Sequence, residues 1–102
     1  MINAMEVTFA DGDLDRLETD PSFAMGLPAG IVTAYRKRMQ TIRAAVDERD
    51  FYNQKSLHFE KLKGKRQHRH SMRLNDRLRL VLELEAASNG KRVKIIGIED
   101  YH

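Results

Sequence analysis

The residues Asp100, Tyr101 and His102 set a carboxylate, a phenol and an imidazole in a row, directly after the apolar, β-branched run from Val93 to Ile98. These groups accept, donate and stack. A terminal imidazole is expected to have few neighbours to bury it. Upstream, the segment from Lys61 to Arg79 holds Lys61, Lys63, Lys65, Arg66, Arg69, Arg73, Arg77 and Arg79 against one acid, Asp76. An acid–base group beside a basic surface points to chemistry on a polyanion, most simply RNA.

RNA carries a 2′-hydroxyl next to each phosphodiester. A base takes that proton, the oxygen attacks phosphorus, and an acid protonates the leaving 5′-oxygen. The site needs a proton carrier, cations for the extra phosphorane charge, and something that holds the base. His102 titrates nearest neutral pH and is the best carrier, with Asp100 to orient or assist it. Lys63, Arg73 and Arg79 are expected to neutralise phosphate, Arg by two parallel hydrogen bonds. Tyr101 either stacks on a base or, by strict strand alternation, joins the core. His68 and His70 fall on one face of a strand, but Arg69 lies between them and no third ligand is spaced to complete a metal site. No metal and no cofactor is expected. The chain also lacks a Gly-rich phosphate loop, a nucleophile elbow and a zinc-protease motif.

The elements that must position these groups are legible in outline. Val7-Thr8-Phe9 reads as a short edge strand. Asp11 offers an N-cap for a short helical turn through Leu14 and Leu17, stopped at Asp20-Pro21. Pro28 suits the first turn of a longer helix. From there Ile31, Tyr35, Met39, Ile42 and Val46 recur at spacings of three and four, widened by Val32 and Ala45. This spacing predicts one apolar face, with Arg36, Lys37, Arg38, Gln40 and Arg43 largely off it. The second half switches to a period of two. Gly64 marks a turn, Met72 and Leu74 alternate with Ser71 and Arg73, and Leu78 to Leu84 alternate with Arg79 to Glu85. Asn89-Gly90 is the strongest hairpin signal. The order predicts an α+β fold, with N-terminal helices on one face of a three- or four-stranded antiparallel sheet whose basic face stays open.

Strand register tests this reading, because a slip of one residue turns every side chain over. A two-residue loop at Asn75-Asp76 would set Met72 opposite Arg79 and mix leucines with charges. A three-residue loop over 75–77 pairs Leu74 with Leu78, Met72 with Leu80 and His70 with Leu82. The other face then pairs Arg73 with Arg79, Ser71 with Val81 and Arg69 with Glu83. For the next hairpin, an Asn89-Gly90 turn pairs Leu84 with Ile95 and Arg79 with Asp100. The expected patch is therefore Arg73, Arg79, Asp100 and His102, with Lys63 approaching from the neighbouring strand.

Composition narrows the class. The 102 residues suit one domain, 1–102, with 41% hydrophobic and 32% charged residues, as in a soluble globular protein. No apolar run nears the roughly 18–20 residues needed to span a bilayer. The first residues lack the basic and apolar regions of a signal peptide, although Met5 is an alternative start to Met1. Zero Cys excludes disulfides and thiolate metal sites. A cytoplasmic location is the expectation. Net charge is only +3, but acids dominate residues 6–20 and bases dominate the later half, so one side of the molecule is suited to a polyanion.

Three segments together resemble the HigB branch of the RelE/ParE toxin superfamily: Ser56 to Gly64, Ser71 to Leu80 and Gly97 to His102. The matching elements are Leu62-Lys63-Gly64, an arginine before the Asn75-Asp76 turn, Arg79 on the following strand, and the final Asp-Tyr-His. The resemblance implies a RelE-like fold and a toxin of a type II toxin–antitoxin system. It implies a ribosome-dependent mRNA endoribonuclease and a HigA-like helix-turn-helix antitoxin, with operator DNA bound only through the toxin–antitoxin complex. It implies Lys63, Asp100 and His102 as catalytic residues, with Tyr101 between the last two and Arg79 facing phosphate. One departure stands out. Family members often carry a His three residues before that lysine, whereas here His58 lies five before Lys63. The ParE branch supplies the alternative, a non-enzymatic inhibitor of DNA gyrase.

Overall fold

The computed structural model describes residues 5–66, 68–87 and 90–100. Five strands are present: β1 (Glu6–Phe9), β2 (Glu60–Lys61), β3 (Arg69–Arg73), β4 (Leu78–Ala87) and β5 (Gly90–Asp100). They form one sheet in the order β1-β5-β4-β3-β2. Strands β2 to β5 pair antiparallel, while β1 runs parallel to β5, with Val7 beside Val93 and Phe9 beside Ile95. The sheet is thus larger than expected and mixed. The difference arises because β1 crosses to the far side of the sheet through the helices before the meander begins.

The helices are α1 (Gly12–Thr19), α2 (Ala29–Ala44) and α3 (Arg49–Asn53). Asp11 caps α1 as its sequence suggests, accepting from the Leu14 backbone N–H at 3.1 Å. Arg36 of α2 donates to the carbonyls of Leu17, Asp20 and Phe23, which serves the orphan end of α1. The predicted α2 stripe is buried at Ile31, Val32, Tyr35, Met39 and Ile42. It stops short of Val46, which is half exposed, because the helix ends at Ala44 and Ala45 is already extended. α3 carries no sequence signal: it is five residues long and buries only Phe51.

The core lies between these helices and the leucine face of the sheet. Met72, Leu74, Leu80, Leu82, Val93 and Ile95 are buried there with the α1 and α2 residues. Tyr35 is fully buried, and its hydroxyl donates to the Leu14 carbonyl at 2.7 Å. Burial and nearby acids push its phenol above the ordinary value, so it stays a donor. Tyr35→Phe removes that buried hydrogen bond. The expected loss is about 0.5–1.5 kcal/mol, read as a lower urea midpoint at unchanged slope.

The predicted three-residue loop is correct. Leu74 N–H donates to the Leu78 carbonyl at 2.9 Å, and Arg73 pairs with Arg79, Ser71 with Val81 and Arg69 with Glu83. The β4–β5 register is not as expected. Ala87 pairs with Gly90, one residue ahead of an Asn89-Gly90 turn, and a bulge falls opposite Val81/Leu82. Past that bulge Arg79 pairs with Glu99, and Asp100 lies opposite Leu78. One extra residue on β5 turns every later side chain to the other face.

Candidate phosphate site

Three elements meet on the sheet face away from the helices. The β2–β3 register sets Glu60 against Ser71 and Lys61 against His70. Leu62 continues the pairing, donating to the Arg69 carbonyl at 2.8 Å. By alternation Leu62, rather than Lys63, faces the patch side. Leu62 and Val81 are buried there, apart from the main core cluster. From the turn Gly64–Arg66, Arg66 reaches Glu99 on β5 at 2.7 Å. Its side chain therefore spans β4, and this part of the face is covered. Among the described residues, the end nearer the 75–77 loop stays open.

At that open end lies a cavity of about 220 Å³ lined by His58, Arg73, Asn75, Asp76 and Arg79. Arg79 is 9% exposed. Its Nε donates to Ser71 Oγ at 2.8 Å, and its Nη2 donates to the His58 carbonyl. A buried, forked guanidinium held by two oxygens is a pre-set cation. His58 sits in the left-handed region at φ +47°. That conformation is uncommon outside glycine, though His tolerates it better than most residues. The Arg79 bond to its carbonyl holds this turn against the sheet.

Arg73 is opposite Arg79 on β3 and donates to the Asp76 carboxylate. Its carbonyl receives Arg38 Nε from α2 at 2.8 Å. Burial, followed by the nearby Arg73 guanidinium, pushes Arg38 below its ordinary value. Three arginines therefore gather around one short loop. Asn75 fixes that loop by accepting from the backbone N–H of Arg77 at 2.9 Å and of Leu78 at 2.7 Å.

Of the expected patch, Arg73 and Arg79 come together as the register predicts. Asp100 does not join them. It pairs with Arg77 at 3.0 Å, because the β5 bulge moves it off the Arg79 face. Glu99 takes the position beside Arg79. Lys63 is exposed and lines no part of the cavity. Tyr101 and His102 lie outside the described residues. Sequence reasoning gave little weight to His58 and none to Arg38 or Ser71. The available signal for His58 was the register: extended from the Glu60–Ser71 pair, it brings position 58 level with Arg73.

His70 has a structural place instead. Its ring stacks on Phe59 at 4.9 Å with planes 8° apart. Its Nδ1 is buried with no hydrogen-bond partner among the described residues. Burial, then Lys61 alongside, hold the imidazole below its ordinary value of 6.5. With the folded-state value depressed, the unfolded chain takes up the proton first. The stability supplied by the neutral ring is complete above pH 6.5 and is lost as pH falls below it. Thermal unfolding between pH 7.5 and 5.5 is expected to shift downward less in His70→Gln than in the parent chain. No group of three His, Cys, Asp or Glu among the described residues is arranged to hold a metal ion.

Residues 7–97 match the family model described as the RelE-like toxin of type II toxin–antitoxin system HigB. No curated protein matches the chain in sequence. Among solved structures, it is similar to the YoeB/ParE toxin from Agrobacterium tumefaciens. There the TM-score is 0.65 at 17% identity, covering 96% of this chain and 100% of that one. It is also similar to the YoeB–YefM complex from Staphylococcus aureus. That comparison gives a TM-score of 0.59 at 19% identity and covers 98% of this chain and 99% of that one. At these identities the two structures speak for the fold alone.

Proposed function

Since this chain belongs to the HigB-like, RelE-like toxins of type II toxin–antitoxin systems, we propose that it is a ribosome-dependent endoribonuclease that cuts mRNA by 2′-hydroxyl attack. The observation that carries this reading is the pairing of Arg73 and Arg79 in the lining of one cavity, to which His58 also contributes. The scissile phosphate sits between the two guanidiniums, where charge builds as phosphorus becomes five-coordinate. The 2′-oxygen gives up its proton, bonds to phosphorus and displaces the 5′-oxygen, which takes a proton. The products are a 2′,3′-cyclic phosphate and a 5′-hydroxyl. The nucleophile belongs to the substrate, so the protein supplies proton transfer and positive charge, and no metal is called for.

His58 is the imidazole of the cavity, and His102 is a second proton carrier, proposed from the resemblance together with Tyr101 as a base-stacking group. Lys63 and Asp100 are proposed from the same resemblance as further catalytic residues, although neither lines the cavity and Asp100 is paired with Arg77. The partners are mRNA on the ribosome and a HigA-like helix-turn-helix antitoxin, with operator DNA reached through that complex. The compartment is the cytoplasm, and no described helix is long and apolar enough to cross a membrane.

Induced expression followed by mapping of mRNA 5′ ends tests the reading. Codon-phased cuts with the parent chain, absent with Arg73→Ala, support it. Gyrase-dependent DNA damage without mRNA cuts would replace it with the ParE-like inhibitor.

A further inference from the structure

Asp76 is the single acid between Lys61 and Arg79, and the fold turns its carboxylate onto Arg73. Its side chain is otherwise 90% exposed, so it supports no core. It lies on the three-residue loop that Asn75 holds rigid, and it lines the cavity with Arg73 and Arg79. A carboxylate has the charge sign and the accepting oxygens of the phosphate that an arginine otherwise binds. Of the other acids near this face, Glu99 holds Arg66 and Asp100 holds Arg77. Among the described residues, Asp76 is the acid paired with a guanidinium that lines the cavity.

We propose that Asp76 is a tethered stand-in for the substrate phosphate and sets the affinity and selectivity of the site. This rests on the nuclease reading and adds a competitor to it. Every anion that reaches Arg73 must displace a carboxylate held at high local concentration by its own loop. A small free anion has one contact with which to do so. An RNA strand has its neighbouring phosphates on other cations, so it wins the exchange and single anions do not. The pair also keeps Arg73 oriented across the loop while the site is empty.

The exchange has a signature in salt dependence. When a strand phosphate takes Arg73 from solution anions, counterions are released. When it takes Arg73 from Asp76, the freed carboxylate gathers cations again and part of that release is cancelled. Binding of a fluorescent 2′-O-methyl RNA octamer, which lacks the nucleophile, measures this in the intact protein. Asp76→Asn is expected to tighten binding about three-fold at low salt, the scale of an exposed ion pair. It is also expected to steepen the slope of log K against log salt by about 0.7, one single-strand phosphate contact. Neither change occurs when Arg73 is already alanine, since Asp76 then has nothing to block.

Four outcomes overturn the proposal. If Asp76→Asn binds more weakly, the carboxylate is a positioning group and not a competitor. If binding tightens at an unchanged salt slope, the effect is general charge and not exchange at Arg73. If Arg73→Ala binds RNA like the parent chain, the site itself is misassigned and the nuclease reading loses its phosphate contact as well. Loss with Arg73→Ala but no gain with Asp76→Asn removes only the role of Asp76.

Discussion

Arg79→Ala is expected to lower mRNA cleavage by about 10²–10³-fold, the scale of losing one pre-set donor to a developing oxyanion. The guanidinium is buried and bonded on two sides, to Ser71 Oγ and to the His58 carbonyl. Its orientation is therefore fixed before substrate arrives, and little reorganisation remains for the transition state. Removing it also leaves those two oxygens without their donor, at about 1–3 kcal/mol of stability. The two effects separate experimentally. A melting curve gives the folded fraction, and single-turnover cleavage on programmed ribosomes gives the rate per folded molecule. Arg79→Lys keeps the charge but cannot span both partners, because an ammonium lacks the planar fork. Lysine is expected to recover stability only in part and cleavage hardly at all. Full activity with lysine at position 79 would make this residue a mere point charge.

His58→Gly gives the second large effect, and it divides chemistry from folding. The residue adopts φ +47°, a conformation glycine enters freely and other residues enter at a cost. Glycine keeps the carbonyl that Arg79 binds and removes the imidazole. Stability is expected to hold or rise slightly, while cleavage falls by about 10²–10⁴-fold, the range for general acid–base groups. A variant that is both more stable and as active as the parent would show that His58 is retained for its turn alone, and proton transfer would pass to His102.

Much of the site was legible because one hairpin obeys simple alternation. Leu74, Leu78, Leu80 and Leu82 fit the core only with a three-residue loop, and that choice alone puts Arg73 against Arg79. The next hairpin offered no such check. Val93, Ile95, Ile96 and Ile98 are all apolar, so the run tolerates an extra residue on either face without exposing or burying a charge. The bulge opposite Val81/Leu82 is therefore silent in sequence, yet it exchanges Asp100 for Glu99 beside Arg79. Gly90, with φ +130°, begins β5 itself, so the Asn-Gly signal located the turn but missed its register by one residue.

Elements set by distant contacts were the least readable. The parallel pairing of β1 with β5 joins residues more than 80 positions apart, and periodicity within a short strand cannot name its partner. Arg38 looked like one more solvated charge on α2, and only the packing of α2 against the sheet brings it to the Arg73 carbonyl. The role of His58 depends on a left-handed turn followed by strand pairing, which composition does not announce. The helical stripe was the opposite case. Tyr35, Met39 and Ile42 repeat over several turns, and burial followed the pattern until the helix ended.

The most direct test is the structure of this protein on a ribosome whose decoding site holds mRNA blocked by a 2′-O-methyl group. A backbone phosphate of that codon with its oxygens about 3 Å from the guanidiniums of both Arg73 and Arg79 is the predicted result. In it Asp76 is displaced from Arg73 and the His58 ring stands beside the blocked 2′-oxygen. A phosphate seated against another face of the molecule, with the Arg73–Asp76 pair intact, would contradict the account.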